Sequence, residues 1–401
     1  MTNRKHETVT KAVRKLAAFC CQKVFLGRLL HKIIDEVSVH GVTFLRKGVG
    51  NVARDGISNS KGWPPSLTLQ EIAELMADYD LELDGAGEQG NGVWRLITDR
   101  GIRCLHLVRY SEARLLFIHS VMEHLAQKGL RDGTRMIRNK HGQAFSFLEP
   151  GLAFYLTEWL HGRPCSFSRT DQAQEVARLL GKLHLAAEGF QPAEGSARLE
   201  AWGQWPDKFR FRLRELQEFG EQARANGPKE KINKLYLENL DYYLGQGEQA
   251  ADLLSGPEYL ELVEQESQLG TFCFRDVGNK HILRQEGKLV ITGFDYCICD
   301  LRVYDLSRLL RKVCSGNHWD WTKAKTILEE YETIRPLSVA EKKALLALLT
   351  FPRKFWLYGR KYYRKGKGEN AEVADRLKRT IRSEGERVGF LNRLQQYASG
   401  G

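Results

Sequence analysis

The sequence predicts an α+β fold of two lobes, a small one built on an antiparallel sheet and a larger, mainly helical one, behind a basic N-terminal extension. Three observations carry this. Between Leu81 and Tyr110, "LELDGAGEQGNGVWRLITDRGIRCLHLVRY" alternates apolar and polar residues around glycine turns, the period of paired strands. Beyond Trp159 the apolar residues recur at helical spacing. Of the formal net charge of +11, roughly +8 sits in the first sixty or so residues, where Lys and Arg far outnumber Asp and Glu. A chain of 401 residues can bury two sizeable cores, and 42% apolar content fits a globular protein.

The elements follow in order. Residues 1–65 read as an amphipathic helix to about Val37 and then a Gly, Ser and Pro linker, "GVGNVARDGISNSKGWPPS". Residues 66–158 form the small lobe: a short helix to Tyr79, paired strands, a helix from Ser111 to Lys128, and strands near Thr134–Arg138 and Phe154–Leu160. Residues 159–401 form the large lobe. In it "DQAQEVARLLGKLHLAAEGF" places Val176, Leu179, Leu180 and Leu183 on one helix face. Further helices are expected at about Lys208–Ala225, Lys231–Leu254 and Ser338–Leu349, the last opened by a capping box from Ser338 to Glu341. A β island, "KLVITGFDYCI", interrupts them. None of the eight cysteines has CxxC spacing, so they read as reduced core residues rather than a zinc site. No run of eighteen uncharged apolar residues is present, which predicts no transmembrane segment and a cytoplasmic location.

Two stretches carry chemistry. Gly85, Gly87 and Gly90 spell GxGxxG, but "VWRLIT" follows with β alternation, so the glycines join two strands rather than open a helix. This suits a lid over phosphates, or a hairpin without a ligand, since Glu88 would face phosphate unfavourably. In "CFRDVGNKHILRQEGKLVITGFD" a strand end leads to Asp276, a tight loop, a hairpin at Glu286-Gly287 and a second strand ending at Asp295. Phosphoryl transfer asks for a carboxylate that orients the acceptor hydroxyl, and an amide plus a carboxylate that hold Mg²⁺ on the phosphates.

At this point the chain resembles the aminoglycoside phosphotransferase and choline kinase superfamily, and within it the CotS-type spore-coat proteins. The resemblance runs from Leu67 to about Phe390. It rests on "GVWRLITDRGIRCLHLVRYSEARLLFIHSVMEHLAQKGL", "YLTEWLHGRPCSF", "WGQWPDKFRFRLREL" and, most specifically, "GFDYCICDLRVYDLSRLL" and "FPRKFW". It implies a two-lobed, protein-kinase-like fold, a place in the spore coat, and coat or other sporulation proteins as partners.

Carried over residue by residue, the resemblance implies a depleted site. The lysine for the α- and β-phosphates falls at His106, the loop histidine at Phe274, the metal-binding asparagine at His281 and the metal-binding aspartate at Gly293. The base is kept as Asp276, although a loop acid bonded to backbone amides is an equal reading. Asn279 and Asp295 are the substitute metal ligands, to be used only if the site is active. Glu158 and Trp159, at the hinge, are candidates to border an adenine pocket. Asp300 and Asp305 resemble structural acids, with Asp305 read as a helix N-cap. The expectation is therefore a degenerate phosphotransferase that binds or builds, with no cofactor, against an active enzyme that uses ATP and Mg²⁺ on a small hydroxyl compound or coat saccharide. The basic, aromatic segment "FPRKFWLYGRKYYRKGKG" reads as packing against the large lobe. The basic ends could meet an anionic surface, with nucleic acid the weaker reading.

Overall fold

The computed structural model describes residues 66–130, 135–227, 230–316, 318–365 and 370–400. The basic extension predicted over 1–65 lies outside them, as does the end of the basic aromatic segment.

The small lobe opens with α1 (Leu69–Met76), held by the capping box of Thr68 and Glu71. Its sheet runs in the order β1-β2-β3-β5-β4, with neighbours antiparallel. The strands are β1 (Leu83–Gly90), β2 (Val93–Thr98), β3 (Gly101–Val108), β4 (Ser146–Glu149) and β5 (Leu152–Glu158). Asn91 and Gly92, both at positive φ, make the two-residue turn between β1 and β2, as a tight hairpin requires. Of the strand expected at Thr134–Arg138, the described residues 135–138 form none; Ile137 makes a single bridge to Leu156, and β4 takes the edge instead. Ile72, Met76, Trp94, Leu96, Leu105, Leu107, Phe154 and Leu156 close the small core.

The helix α2 (Glu112–Gln127) buries Leu115, Phe117, Ile118, Val121 and Leu125 in the larger core. That core continues through α3 (Thr170–Ala186), α4 (Trp205–Asn226), α5 (Lys231–Asp252) and α6 (Pro257–Gln268). Next come a three-stranded sheet of β6 (Arg163–Pro164), β7 (Ile282–Gln285) and β8 (Lys288–Ile291), and then α7 (Val303–Cys314). The chain ends in α8 (Trp321–Glu332), α9 (Val339–Thr350), α10 (Arg353–Lys365), α11 (Asn370–Arg382) and α12 (Glu384–Ala398). The Glu286-Gly287 turn is present at φ 49° and 77°, and Ser338 and Glu341 form the expected capping box.

The aromatic face of α10 is spent on the core. Phe355 stacks on Tyr236 and Tyr243, Tyr363 stacks on Phe219, and Trp356 donates its indole N–H to Glu215. Beneath the lobe, buried Arg302 donates to Glu266, to Glu188 and to the carbonyl of His184. Arg335 joins Glu266 to Glu341. Such buried charges are tolerated only when the set is complete.

Candidate functional site

The site is built on residues 273–281, the loop between the β bridge at Cys273 and strand β7. Its anchor is Asp305. The sequence reading makes this residue a helix N-cap; the structure corrects that, because Asp305 is the third residue of α7 and the N-cap position is Arg302, without a side-chain cap bond. The fully buried carboxylate of Asp305 instead accepts from the backbone N–H of Phe274 (2.6 Å) and of Arg275 (2.7 Å). His184 supports it from below, with Nε2 at 3.2 Å from Asp305 and Nδ1 at 2.7 Å from the Tyr331 hydroxyl. Arg275 turns through φ 64°, and Phe274, where the family's loop histidine falls, points into the core with its ring edge on Phe294.

The loop thereby delivers Asp276 half-buried at the surface. Its Oδ2 lies 3.2 Å from Nε2 of His281, and Arg308 approaches Oδ1 at 3.8 Å. The hydrogen bond from His281, and then the nearby cations, hold this carboxyl below its usual range in spite of burial. The other side of the same imidazole lies on Gly293. A Cβ added there would stand 2.4 Å from His281 Nδ1, and Gly293 itself is at φ +75°. The ring at 281 therefore occupies the space that a side chain at 293 would enter.

On the small-lobe sheet, His106 on β3 pairs with Tyr155 on β5. The two rings stack at 4.5 Å with 7° between their planes, and His106 Nε2 is 3.1 Å from the Thr157 hydroxyl. Burial lowers the imidazole's pKa, with Asp295 acting in the opposite sense. A neutral ring, unlike a lysine, brings no charge to a phosphate. Tyr155 in turn donates to Asp295 Oδ1 at 3.3 Å, and the Asp295 carbonyl accepts from Arg114. Burial and the Asp295 carboxylate both push the phenols of Tyr110 and Tyr155 upward, which keeps them as donors.

The remaining candidates are dispersed. Asn279 is exposed in the turn before His281, and no hydrogen bond joins it to Asp276 or Asp295 among the described residues. Gly85, Gly87 and Gly90 lie within β1 rather than in an open loop, paired with Ile97, Arg95 and Val93. Glu158 is exposed at the end of β5, opposite Arg103; Trp159 follows it and carries the Arg95 guanidinium 5.8 Å from its ring centre. Asp300 is fully buried, accepting from the Trp205 indole (3.0 Å) and the Leu301 amide (2.8 Å), and burial raises its pKa.

Mg²⁺ asks for oxygen ligands in a nearly regular octahedron. Positions 281 and 293 offer an imidazole engaged with Asp276 and no side chain at all. No group of three His, Cys, Asp or Glu side chains suited to a metal ion occurs among the described residues. Motif reasoning missed the partners that give the loop its chemistry: Arg308 and Lys312 one and two turns along α7, and Tyr155. Only their spacing within "YDLSRLLRK" could have placed the two cations on the loop side.

Likeness to known proteins bears on the fold and the family. Residues 74–394 match the family described as "Spore coat putative kinase YutH". The chain is 26% identical over 334 residues to Spore coat protein S of Bacillus subtilis, covering 82% of this chain and 94% of that one. It is 27% identical over 289 residues to a homoserine kinase of Agrobacterium fabrum, covering 70% and 80%. Among solved structures, an aminoglycoside phosphotransferase from Alicyclobacillus acidocaldarius superposes with a TM-score of 0.74 at 19% identity, covering 86% of this chain and 99% of that one. With a five-stranded small lobe, a helical large lobe and a braced loop carrying Asp276, the chain has the fold of an aminoglycoside phosphotransferase and belongs to the spore coat putative kinase family.

Proposed function

We propose that this protein is a spore-coat component in which a phosphotransferase cleft has been converted into a structural or binding element, with coat proteins as its partners. One observation carries the reading: His281 is bonded to Asp276 on one side and packs on Gly293 on the other, so neither position where the resemblance expects a metal ligand offers an oxygen. The neutral imidazole of His106 removes the phosphate-binding cation as well. Without these counter-groups the clustered charge of MgATP lacks the fixed partners that positions 106, 281 and 293 would supply.

The test is nucleotide binding by thermal unfolding. A ligand at 100 times its dissociation constant stabilises a fold by about 2.7 kcal/mol. The wild-type chain should show no Mg²⁺-dependent shift with ATP, whereas the variant carrying His106→Lys, His281→Asn and Gly293→Asp together should show one. ATP-dependent phosphorylation of an acceptor by the wild-type chain, abolished by Asp276→Asn, would overturn the reading.

That outcome belongs to the second reading, an active kinase acting on a small hydroxyl compound or coat saccharide. Its support is the similarity to homoserine kinases, together with the presence of Asp276, Asn279 and Asp295. Nucleic-acid binding is less well supported, because the aromatic residues of α10 are packed inward and Arg364 is paired with Glu218.

A further inference from the structure

Behind the loop, where the second half of α7 meets the start of α10, lies a cavity of about 180 Å³. Arg311, Lys312, Arg353, Lys354 and Arg387 line it, and among the described residues its one carboxylate is Glu384. That carboxylate is already engaged: Arg387 pairs with it at 2.8 Å, and Tyr242, Tyr243 and Gln246 donate to it. The cations continue inward. Arg275 and Arg308 sit 5.3 and 5.9 Å from the ring of buried Tyr304, and Arg212 lies over Phe351 and Trp356. Guanidinium groups from α4, the loop, α7 and α10 therefore converge on one small region.

Burial and the neighbouring cations both act on the acidities here. Burial, and then Arg353, bring Arg311 down to about 9. Burial would raise the Tyr304 phenol, but Arg308, Arg275 and Arg353 outweigh it and set it at about 8. Like charges gathered this closely in a partly desolvated place are unfavourable unless an anion shares the space.

We propose that this cavity binds the phosphoryl group of a small phosphate-bearing ligand. Guanidinium forks match phosphate oxygens in pairs, and the start of α10 adds the positive end of a helix. The volume falls below the roughly 300–1,000 Å³ of sites that enclose drug-sized ligands, so the part recognised is the oxyanion itself. The inference goes beyond the nucleotide question, since none of the residues at 106, 281 or 293 lines the cavity.

Titration calorimetry of the full chain with inorganic phosphate, against chloride of equal ionic strength, tests it. One site per chain is expected, weakened about tenfold by Arg311→Gln and by Lys354→Gln, each of which removes a charged contact. Arg100→Gln, at an exposed turn of the small lobe, should leave it unchanged. A hexose phosphate that binds more tightly than phosphate would identify an organic ester as the source; equal affinity would identify the free ion. Lys354 is exposed, so its variant keeps the test open if Arg311→Gln fails to fold. Heats indistinguishable from those of chloride, or binding unaltered in both folded variants, would remove the proposal.

Discussion

At position 293 the backbone sits at φ +75° and the ring of His281 closes over it. That ring is not free to swing away, because Asp276 holds Nε2 and the backbone amides of His281 and Thr292 are both bonded locally. Gly293→Asp alone should therefore lose about 1–3 kcal/mol of stability through overpacking and strain. Combined with His281→Asn, the same change should cost clearly less. A double-mutant cycle by chemical denaturation measures the coupling. Strictly additive losses would mean that the ring does not oppose a side chain at 293. By the same contact, Gly293→Asp alone should do little for nucleotide binding, since the ring opposes the new side chain.

Between elements, the decisive link is α7 to the loop. Asp305→Ala strips two charge-assisted hydrogen bonds from backbone amides and leaves buried His184 without its acceptor, so it should cost about 3 kcal/mol, more than a lost cap. Denaturant unfolding checks the value, and a change within a few tenths of a kcal/mol would show that the loop stands without this brace. The contrast with the expected cap marks the limit of reading a sequence. The Glu286-Gly287 hairpin and the Ser338–Glu341 capping box are legible because their partners lie within a few residues. Asp305 acts on amides some thirty residues upstream, and no local pattern announces that. For the same reason the edge strand Ser146–Glu149 and the helices Pro257–Gln268, Trp321–Glu332 and Asn370–Arg382 escape pattern reading: they are stabilised by what they pack on.

For the whole molecule, the two-lobed plan and the family were legible, because alternation, helical spacing and family motifs all point the same way. The pairing of Asp276 with His281 and the convergence of arginines behind α7 were not, since both depend on tertiary approach. A chain beginning at Ser66 keeps the entire 74–394 family span and should still unfold in one cooperative transition. Lacking the basic extension, it should bind anionic vesicles more weakly than the full chain at low salt, with the difference vanishing at high salt, where exposed charges are screened. Co-sedimentation across a salt series checks this, and a difference that survives high salt would assign apolar contacts to the extension. The network around Arg302 bears on how such a lobe comes apart. It draws on Glu266, Arg335 and Glu341 from separate stretches of the chain, with Glu188 at its more exposed edge, so pulling Glu266 away strands Arg302 in a dry interior. Partial opening is thereby made more costly than it would be for an apolar seam, and the large lobe is left with few intermediate states for a protease to find.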